Sequence, residues 1–495
     1  MRTCKATTWI LVVVLLQFVT AGRAQASAYY FSDIGVRSFS RGGAFIAGVD
    51  DLTALYYNPA ALTRLKRGQV MLDVAGVQQF VSYSRADFPG NGPLDANGDM
   101  TDIAFDTVTN AAPPYAIPHL GVSHTFGLPN TTFAFGFYPP YAPDLSYPDD
   151  GPQRYSLIDT EVIQTVLGPS IAHEFLDWFS LGAGVSWNVL YVEQELKISV
   201  PTNDLIGFLD ESDEAMTAIE DPAYDVAFRM DAYDGQGVGW NLGLLIEPPT
   251  EKWALGMMFQ APVQFCATGQ MEADFSEHVL YTDGFANPQD IITQAIAKDD
   301  FVTLEVTMPL ILKGGFALRP SDRLEVEIAS VWQNWSSIDA IVVSDLNMVI
   351  DLNEDFFIPL EDAVISDDVV LPAGYKNSWS VRLGGDFDFS DRWTARAGGF
   401  VETSAIPDES QTVALVDGNK VGYGVGGSWF PNNKWAIDLG LSQSFLASRD
   451  ISGSHATQIS INPMSGEFNE GTVAGDGSYQ SSLLLFGLGL NWFFD

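Results

Sequence analysis

The chain has 495 residues, with 24 Lys and Arg against 63 Asp and Glu, and a formal net charge of −39. Phosphate binding needs a basic face, so this balance excludes nucleic acid as a partner. With 46% hydrophobic and 12% aromatic residues the chain is also unlike disordered proteins, which lack aromatics. The acidic residues are therefore expected in loops around a packed framework.

Arg2 and Lys5 give the chain a charged start, and Trp9 to Val19 is apolar except for Gln17. Ala24-Gln25-Ala26 then supplies the small-x-small pattern of a signal-peptide cleavage site. Ala26-Ser27-Ala28 is a second candidate, so residues 1–26 read as a signal peptide and the mature chain starts at Ser27 or Tyr29. The apolar run is too short for a membrane anchor, which needs about 20 residues. Cys4 leaves with the signal and Cys266 remains alone, so no intramolecular disulfide forms and Cys266 reads as a small hydrophobe.

Residues 34–62 form a glycine- and alanine-rich stretch, IGVRSFSRGGAFIAGVDDLTALYYNPAAL, ending in Asn58-Pro59-Ala60. From Gln69 onward apolar and polar residues alternate in segments of about ten or more residues. The clearest runs from Trp379 to Phe389, where Val381, Leu383 and Phe387 alternate with Arg382, Gly384 and Asp386. Leu324 to Ile328 and Trp435 to Leu441 repeat the pattern. Strand side chains point alternately to opposite faces, so each segment has one apolar and one hydrophilic wall.

Six connections are short, near residues 127–130, 176–178, 248–252, 320–322, 390–391 and 431–433. Seven are long and acidic, near 83–115, 139–157, 199–236, 269–303, 341–375, 404–419 and 448–478. Thirteen connections imply fourteen strands. After the signal no apolar run is long enough for a membrane helix, and a helix-free membrane protein must close a β-barrel. An even strand number with short turns on one side and long loops on the other is the outer-membrane pattern. The expected fold is all-β: a 14-stranded antiparallel transmembrane barrel over residues 68–495. Trp178, Phe179, Trp253, Trp393, Trp429, Phe430, Trp435, Trp492 and Phe493 lie beside the short turns or the C-terminus and read as a periplasmic aromatic girdle.

The 34–62 stretch resembles the N-terminal hatch of the long-chain fatty acid transporter family of bacterial outer-membrane proteins, the FadL/TodX type. The shared run is Gly35-x-Arg37, Gly42-Gly43-Ala44-Phe45, Asp50-Asp51, then Tyr56-x-Asn58-Pro59-Ala60-x-Leu62. Residues 235–247, 308–335 and 379–407 look like the family's later strands in order and spacing. Barrels of this kind usually finish on an aromatic, whereas here Asp495 follows Phe494. The resemblance implies a hatch over residues 27–67 inside the lumen, an outer-membrane location in a Gram-negative bacterium, and passive transport of hydrophobic compounds without an energy cofactor. It also implies a sideways exit at the third strand, which here falls on Phe137, Tyr138, Pro139, Pro140 and Tyr141.

Several residues are candidates for ligand contact. Phe39, Phe45 and Ile46 are apolar residues of the hatch facing a charged lumen, which suits a pocket for an apolar ligand. Lys197, Arg382 and Arg396 are the candidate counter-charges for a carboxylate. Asn203-Asp204 can cap a helix over Leu205, Ile206, Phe208 and Leu209, while Asn287-Pro288 precedes Ile291, Ile292 and Ile296 at helical spacing. Such apolar helices on outer loops suit a landing groove for an amphiphile. Asp95, Asn97, Asp99, Thr101 and Asp106 resemble a calcium loop, although Met100 replaces the usual glycine. The five histidines are scattered, and no G-x-S-x-G or H-E-x-x-H motif argues for catalysis.

The expected function is passive uptake of long-chain fatty acids or other hydrophobic compounds by a monomer in contact with outer-membrane lipid and lipopolysaccharide. Basic residues are scarce, and Glu193 and Glu195 stand where a carboxylate pocket prefers cations, so neutral hydrocarbons are plausible cargo. The alternative is a surface-binding protein on a barrel anchor, an adhesin or phage receptor with calcium, suggested by acidic loops such as Asp345 to Asp368.

Overall fold

The computed structural model describes residues 33–88, 102–200, 222–278, 292–297, 302–338, 340–345, 348–352, 363–365, 369–461 and 468–495. Fourteen antiparallel strands follow one another around a closed wall. They are β1 (Gly68–Arg85), β2 (Tyr115–His124), β3 (Thr131–Tyr141), β4 (Asp159–Leu176), β5 (Phe179–Ser199), β6 (Asp225–Ile246) and β7 (Trp253–Gln260 and Val263–Asp274). Then come β8 (Val302–Met308 and Ile311–Ser321), β9 (Leu324–Gln333), β10 (Ser378–Ser390), β11 (Trp393–Glu402), β12 (Lys420–Asn432), β13 (Trp435–Leu446) and β14 (Gly477–Phe494). Closure is made by β1 and β14, paired from Gly68↔Phe494 to Arg85↔Gly477. A closed ladder leaves no edge whose N–H and C=O groups would lie unpaired in lipid.

The period-two pattern sets the two faces. On β10, Trp379, Leu383, Phe387 and Phe389 are exposed while Ser380 and Arg382 are buried. Leu72 and Val74 on β1, Leu120 and Val122 on β2, Leu439 on β13 and Leu488 on β14 continue the outward apolar belt. A belt of this extent is a lipid-facing surface. At the short-turn end Trp393 stacks on Trp429 with ring centroids 5.9 Å apart, and Trp435 stacks on Trp492 at 6.1 Å.

The strands rise further on the long-loop side than the alternation predicts. β5 and β6 pair from Phe179↔Ile246 to Ser199↔Asp225, about twice the 9–11 residues that span a bilayer. Residues 225–235, expected in a loop, are therefore strand: Val226, Phe228, Met230 and Ala232 are buried while Arg229, Asp231 and Tyr233 are exposed. A second expectation is corrected in a loop. Ile292–Ala297 is a strand, not a helix, and pairs with Met348–Leu352, which pairs in turn with Ala363–Ile365. The Ile292 and Ile296 spacing of four fits period two as well as period 3.6, and β-branched residues fit a pleated sheet. Leu205, Ile206, Phe208, Leu209 and Ile291 lie outside the described residues, as do Asp95, Asn97, Asp99 and Thr101.

A barrel of this width cannot be filled by its own side chains. Residues 33–67 occupy its interior. Their elements are α1 (Val36–Ser40), α2 (Ala54–Tyr57) and a 3-10 helix (Pro59–Arg64). Gly42 and Gly43 take φ of +62° and +73° after α1, a left-handed turn that glycine adopts without strain. Phe39, Phe45, Ile46 and Leu52 are completely buried. The three short helices therefore pack as a core inside the wall.

Candidate functional site

Asn58 ties the luminal segment to the wall. It is extended, with φ −165° and ψ 99°, as a residue preceding proline must be. Its Oδ1 accepts from Ala60 N at 3.1 Å, while Nδ2 donates to Ile46 O at 3.3 Å and to Leu244 O on β6 at 3.0 Å. Pro59 starts the following 3-10 helix, where its missing N–H costs nothing. The wall beneath is glycine: a Cβ at Gly243 would stand 2.3 Å from Asn58 Oδ1, and one at Gly182 2.3 Å from the Pro59 carbonyl carbon. Asn58→Ala removes all three bonds, each worth about 1 kcal/mol, of which only the one to Leu244 O reaches the barrel wall. The variant is expected to keep the heat-modifiable gel mobility of a folded barrel and to take up labelled substrate more slowly. Uptake at the wild-type rate would reduce the motif to a turn.

Toward the short-turn end the lumen is crossed by a belt of charges. Arg41 reaches Asp386 Oδ2 at 2.7 Å and Glu325 Oε1 at 3.0 Å. Arg319 bonds Glu325 Oε2 at 2.7 Å and also Glu247, which holds Arg64 at 2.9 Å. Arg396 continues the belt to Asp386 at 3.1 Å and Asp438 at 3.6 Å, and Asn491 donates to Asp438 at 2.8 Å. Glu327 accepts the N–H groups of Ile46, Ala47 and Gly48 at 2.7–2.8 Å. Pairing is what permits these charges to be buried.

The third feature is a break in the wall. The β2–β3 ladder runs from His124↔Phe133 to Leu120↔Phe137 and stops, although β2 stays paired with β1 as far as Tyr115↔Val77. Beyond the stop, β3 carries Pro139 and Pro140, and its pairing with β4 slips by one residue between Tyr138 and Tyr141. Pro118 on β2 and both β3 prolines lack the N–H a ladder requires. Behind the break lies a cavity of about 20 Å³. Luminal residues 33–36 line it together with Asp73, Val77, Ile117, His119, Pro139 and Leu485. The Tyr138 ring stands edge-on to His119 at 5.5 Å and to Tyr56 at 5.5 Å.

A family model described as outer membrane protein transport protein (OMPP1/FadL/TodX) matches residues 17–494. The chain belongs to this family. It is accordingly a channel-type transporter of the bacterial outer membrane and not an enzyme, and it serves the uptake of hydrophobic compounds. Its fold is similar to that of a FadL homologue from Pseudomonas aeruginosa, with TM-score 0.71 and 16% identity over 94% of this chain and 100% of that one. It is also similar to the toluene transporter TbuX of Ralstonia pickettii, with TM-score 0.58 and 16% identity over 94% and 99% of the two chains. The toluene transporter TodX of Pseudomonas putida gives TM-score 0.58 and 16% identity over 95% and 100%. No curated protein sequence matches the chain.

Within this OMPP1/FadL/TodX barrel the expected ligand residues are dispersed. Phe39 packs against the backbone of Gly440 and Gly487 in an apolar cluster with Val36, Val77, Ile117 and Leu485, and so backs the cavity. Phe45 lies under the Arg41 guanidinium, 4.8 Å from its ring centroid, and Ile46 is held by Glu327. Arg382 bridges Asp33 at 2.5 Å and Glu402 at 3.1 Å, and Arg396 is paired as above. Lys197 sits at the far end of β5, 3.9 Å from Glu277. Each of the three cations thus already has a carboxylate partner. Asp106 is exposed, and among the described residues no three His, Cys, Asp or Glu side chains are grouped to hold a metal ion.

Four residues of the site escaped the sequence reading: Asp73, Pro118, His119 and Lys313. Lys313 is buried on β8, donates to Tyr56 O at 2.9 Å and stands over the Tyr56 ring. Parity was the available signal for His119, since Leu120 and Val122 are the outward apolar positions and residues 119 and 123 fall on the inward face.

Proposed function

We propose that this chain carries neutral hydrophobic compounds from the extracellular loops to the gap beside the cavity at residues 33–36, and releases them sideways between β2 and β3. The observation that carries the reading is the end of the β2–β3 ladder at Leu120–Phe137, directly beside that cavity. The β2–β3 ladder is unpaired here, and the residues flanking the gap are mostly apolar. The charge belt beneath argues against a straight path into the periplasm, because an apolar solute gains nothing from paired charges and would have to separate them. Residues 27–67 act as the hatch in this scheme. With residues 1–26 removed as a signal peptide, the hatch becomes the start of the mature chain.

Neutral cargo is favoured over fatty acid carboxylates. Arg382, Arg396 and Lys197 are held by carboxylates, and the cavity itself is lined by Asp33 and Asp73. Two of the similar structures are described as toluene transporters, which agrees with a neutral aromatic cargo for this chain. The test is uptake of labelled toluene and labelled oleate into liposomes carrying the purified protein. Toluene is expected to enter faster than into protein-free liposomes, with oleate lagging. Absence of protein-dependent uptake of both compounds would remove the proposal.

A further inference from the structure

Asp73 and His119 are direct cross-strand partners on β1 and β2. Both side chains face the lumen, and each residue is 2% exposed. Asp73 Oδ2 accepts from Val36 N at 2.9 Å, but its Oδ1 has no hydrogen-bond partner, and neither does Nδ1 or Nε2 of His119. Three polar atoms on two residues that line one cavity are thus buried without partners, Asp73 Oδ1 on the side of Gly489 of β14, where native proteins satisfy nearly all such atoms. The cavity, at about 20 Å³, has room for one water-sized group. Its other walls are apolar, from Val36, Val77, Ile117 and Leu485, apart from Asp33, which is paired with Arg382.

We infer that Asp73 and His119 form a binding site for the hydroxyl group of an apolar alcohol or phenol, at the inner mouth of the gap between β2 and β3. Imidazole always carries at least one N–H, and a carboxylate oxygen is an acceptor. A hydroxyl complements both residues at once, donating to the Asp73 carboxylate and accepting from His119. An ammonium group can donate to Asp73 and to the bare imidazole nitrogen but leaves the imidazole N–H unsatisfied. A carboxylate would meet Asp73 and, alongside it, Asp33. A plain hydrocarbon leaves all three polar atoms unsatisfied. The apolar remainder of such a ligand extends along Ile117 and Pro139 toward the opening. This site deepens the uptake proposed above and rests on it.

The test compares p-cresol with toluene, which differ by the hydroxyl alone. Calorimetric binding to the purified full chain and liposome uptake are measured for wild type, His119→Leu and Asp73→Asn, with heat-modifiable mobility reporting a folded barrel. Wild type is expected to prefer p-cresol by about tenfold, the size of effect a hydrogen-bonded hydroxyl gives. His119→Leu should bring the two ligands to within about twofold while toluene binding holds or improves. Asp73→Asn retains an acceptor for Val36 N and should weaken p-cresol alone. Equal wild-type affinity for the two ligands, or a preference that survives His119→Leu, overturns the hydroxyl site and leaves a cavity that holds only water. Toluene uptake without p-cresol preference would sink this inference and leave the uptake reading standing. Neither binding nor uptake of both ligands would sink the two together.

Discussion

Deleting Pro139 and replacing Pro140 by valine is expected to abolish most substrate uptake while the barrel still folds. Tyr138 is opposite Val166 and Tyr141 is opposite Gln164, so β3 covers three steps where β4 covers two. Removing one residue equalises the count, and a valine at the second position restores an N–H and suits a strand. The extended β3 can then run regularly beside the upper half of β2, narrowing the gap at Ile117 and His119. Uptake should fall by about tenfold or more, the change produced by an added barrier of about 1.4 kcal/mol. Labelled-toluene uptake into liposomes measures the rate, and gel mobility with and without heating measures the fold. A folded variant that transports at the wild-type rate would mean that substrate leaves by another path.

Glu327→Ala is expected to release the luminal segment from the wall. The Glu327 carboxylate is fully buried, accepts three successive N–H groups from Ile46, Ala47 and Gly48, and stands 3.7 Å from Arg41. Alanine leaves those donors and part of the Arg41 charge without a partner, and breaking a buried ion pair costs about 3–5 kcal/mol. That energy bears on the segment rather than on the β8–β9–β10 ladder, where the Glu327 backbone pairs with Ala317 and Gly384 and is kept by alanine. Limited proteolysis should therefore cut within residues 33–67 of the variant while sparing the wild type, with the barrel band unchanged. Glu327→Gln, which keeps an acceptor, should lie between. Equal protection of the segment in Glu327→Ala and wild type would show that the contact does not hold it.

The barrel was legible in the sequence because its signal is local. Alternation at residues 379–389 and the contrast between short turns and long loops need only neighbours along the chain. The ends of the strands were less legible: residues 225–235 look polar because one face meets water, yet the other face keeps the ladder going. Ile292 and Ile296 misled because a spacing of four serves helix and strand alike. The site was hardest to read. Arg382 looks like a free cation until Asp33, 349 positions away, arrives beside it. The Asp73–His119 pair exists only once β1 and β2 are in register. Pro118 reads as a strand breaker unless the strand is allowed to lose one neighbour there.

The span of these contacts has a consequence for how the molecule is made. Arg41 emerges from synthesis 345 positions before its partner Asp386, and Asp33 waits as long for Arg382. Glu325, Glu327, Arg382 and Asp386 face inward on β9 and β10, so a barrel zipped shut first would seal unmatched charges in a space the segment could no longer enter. Docking of the N-terminal segment and the final β1–β14 zippering must therefore proceed as one slow event of high contact order. A chain lacking residues 33–67 is expected to close its last strands over unmatched charges on β9 and β10.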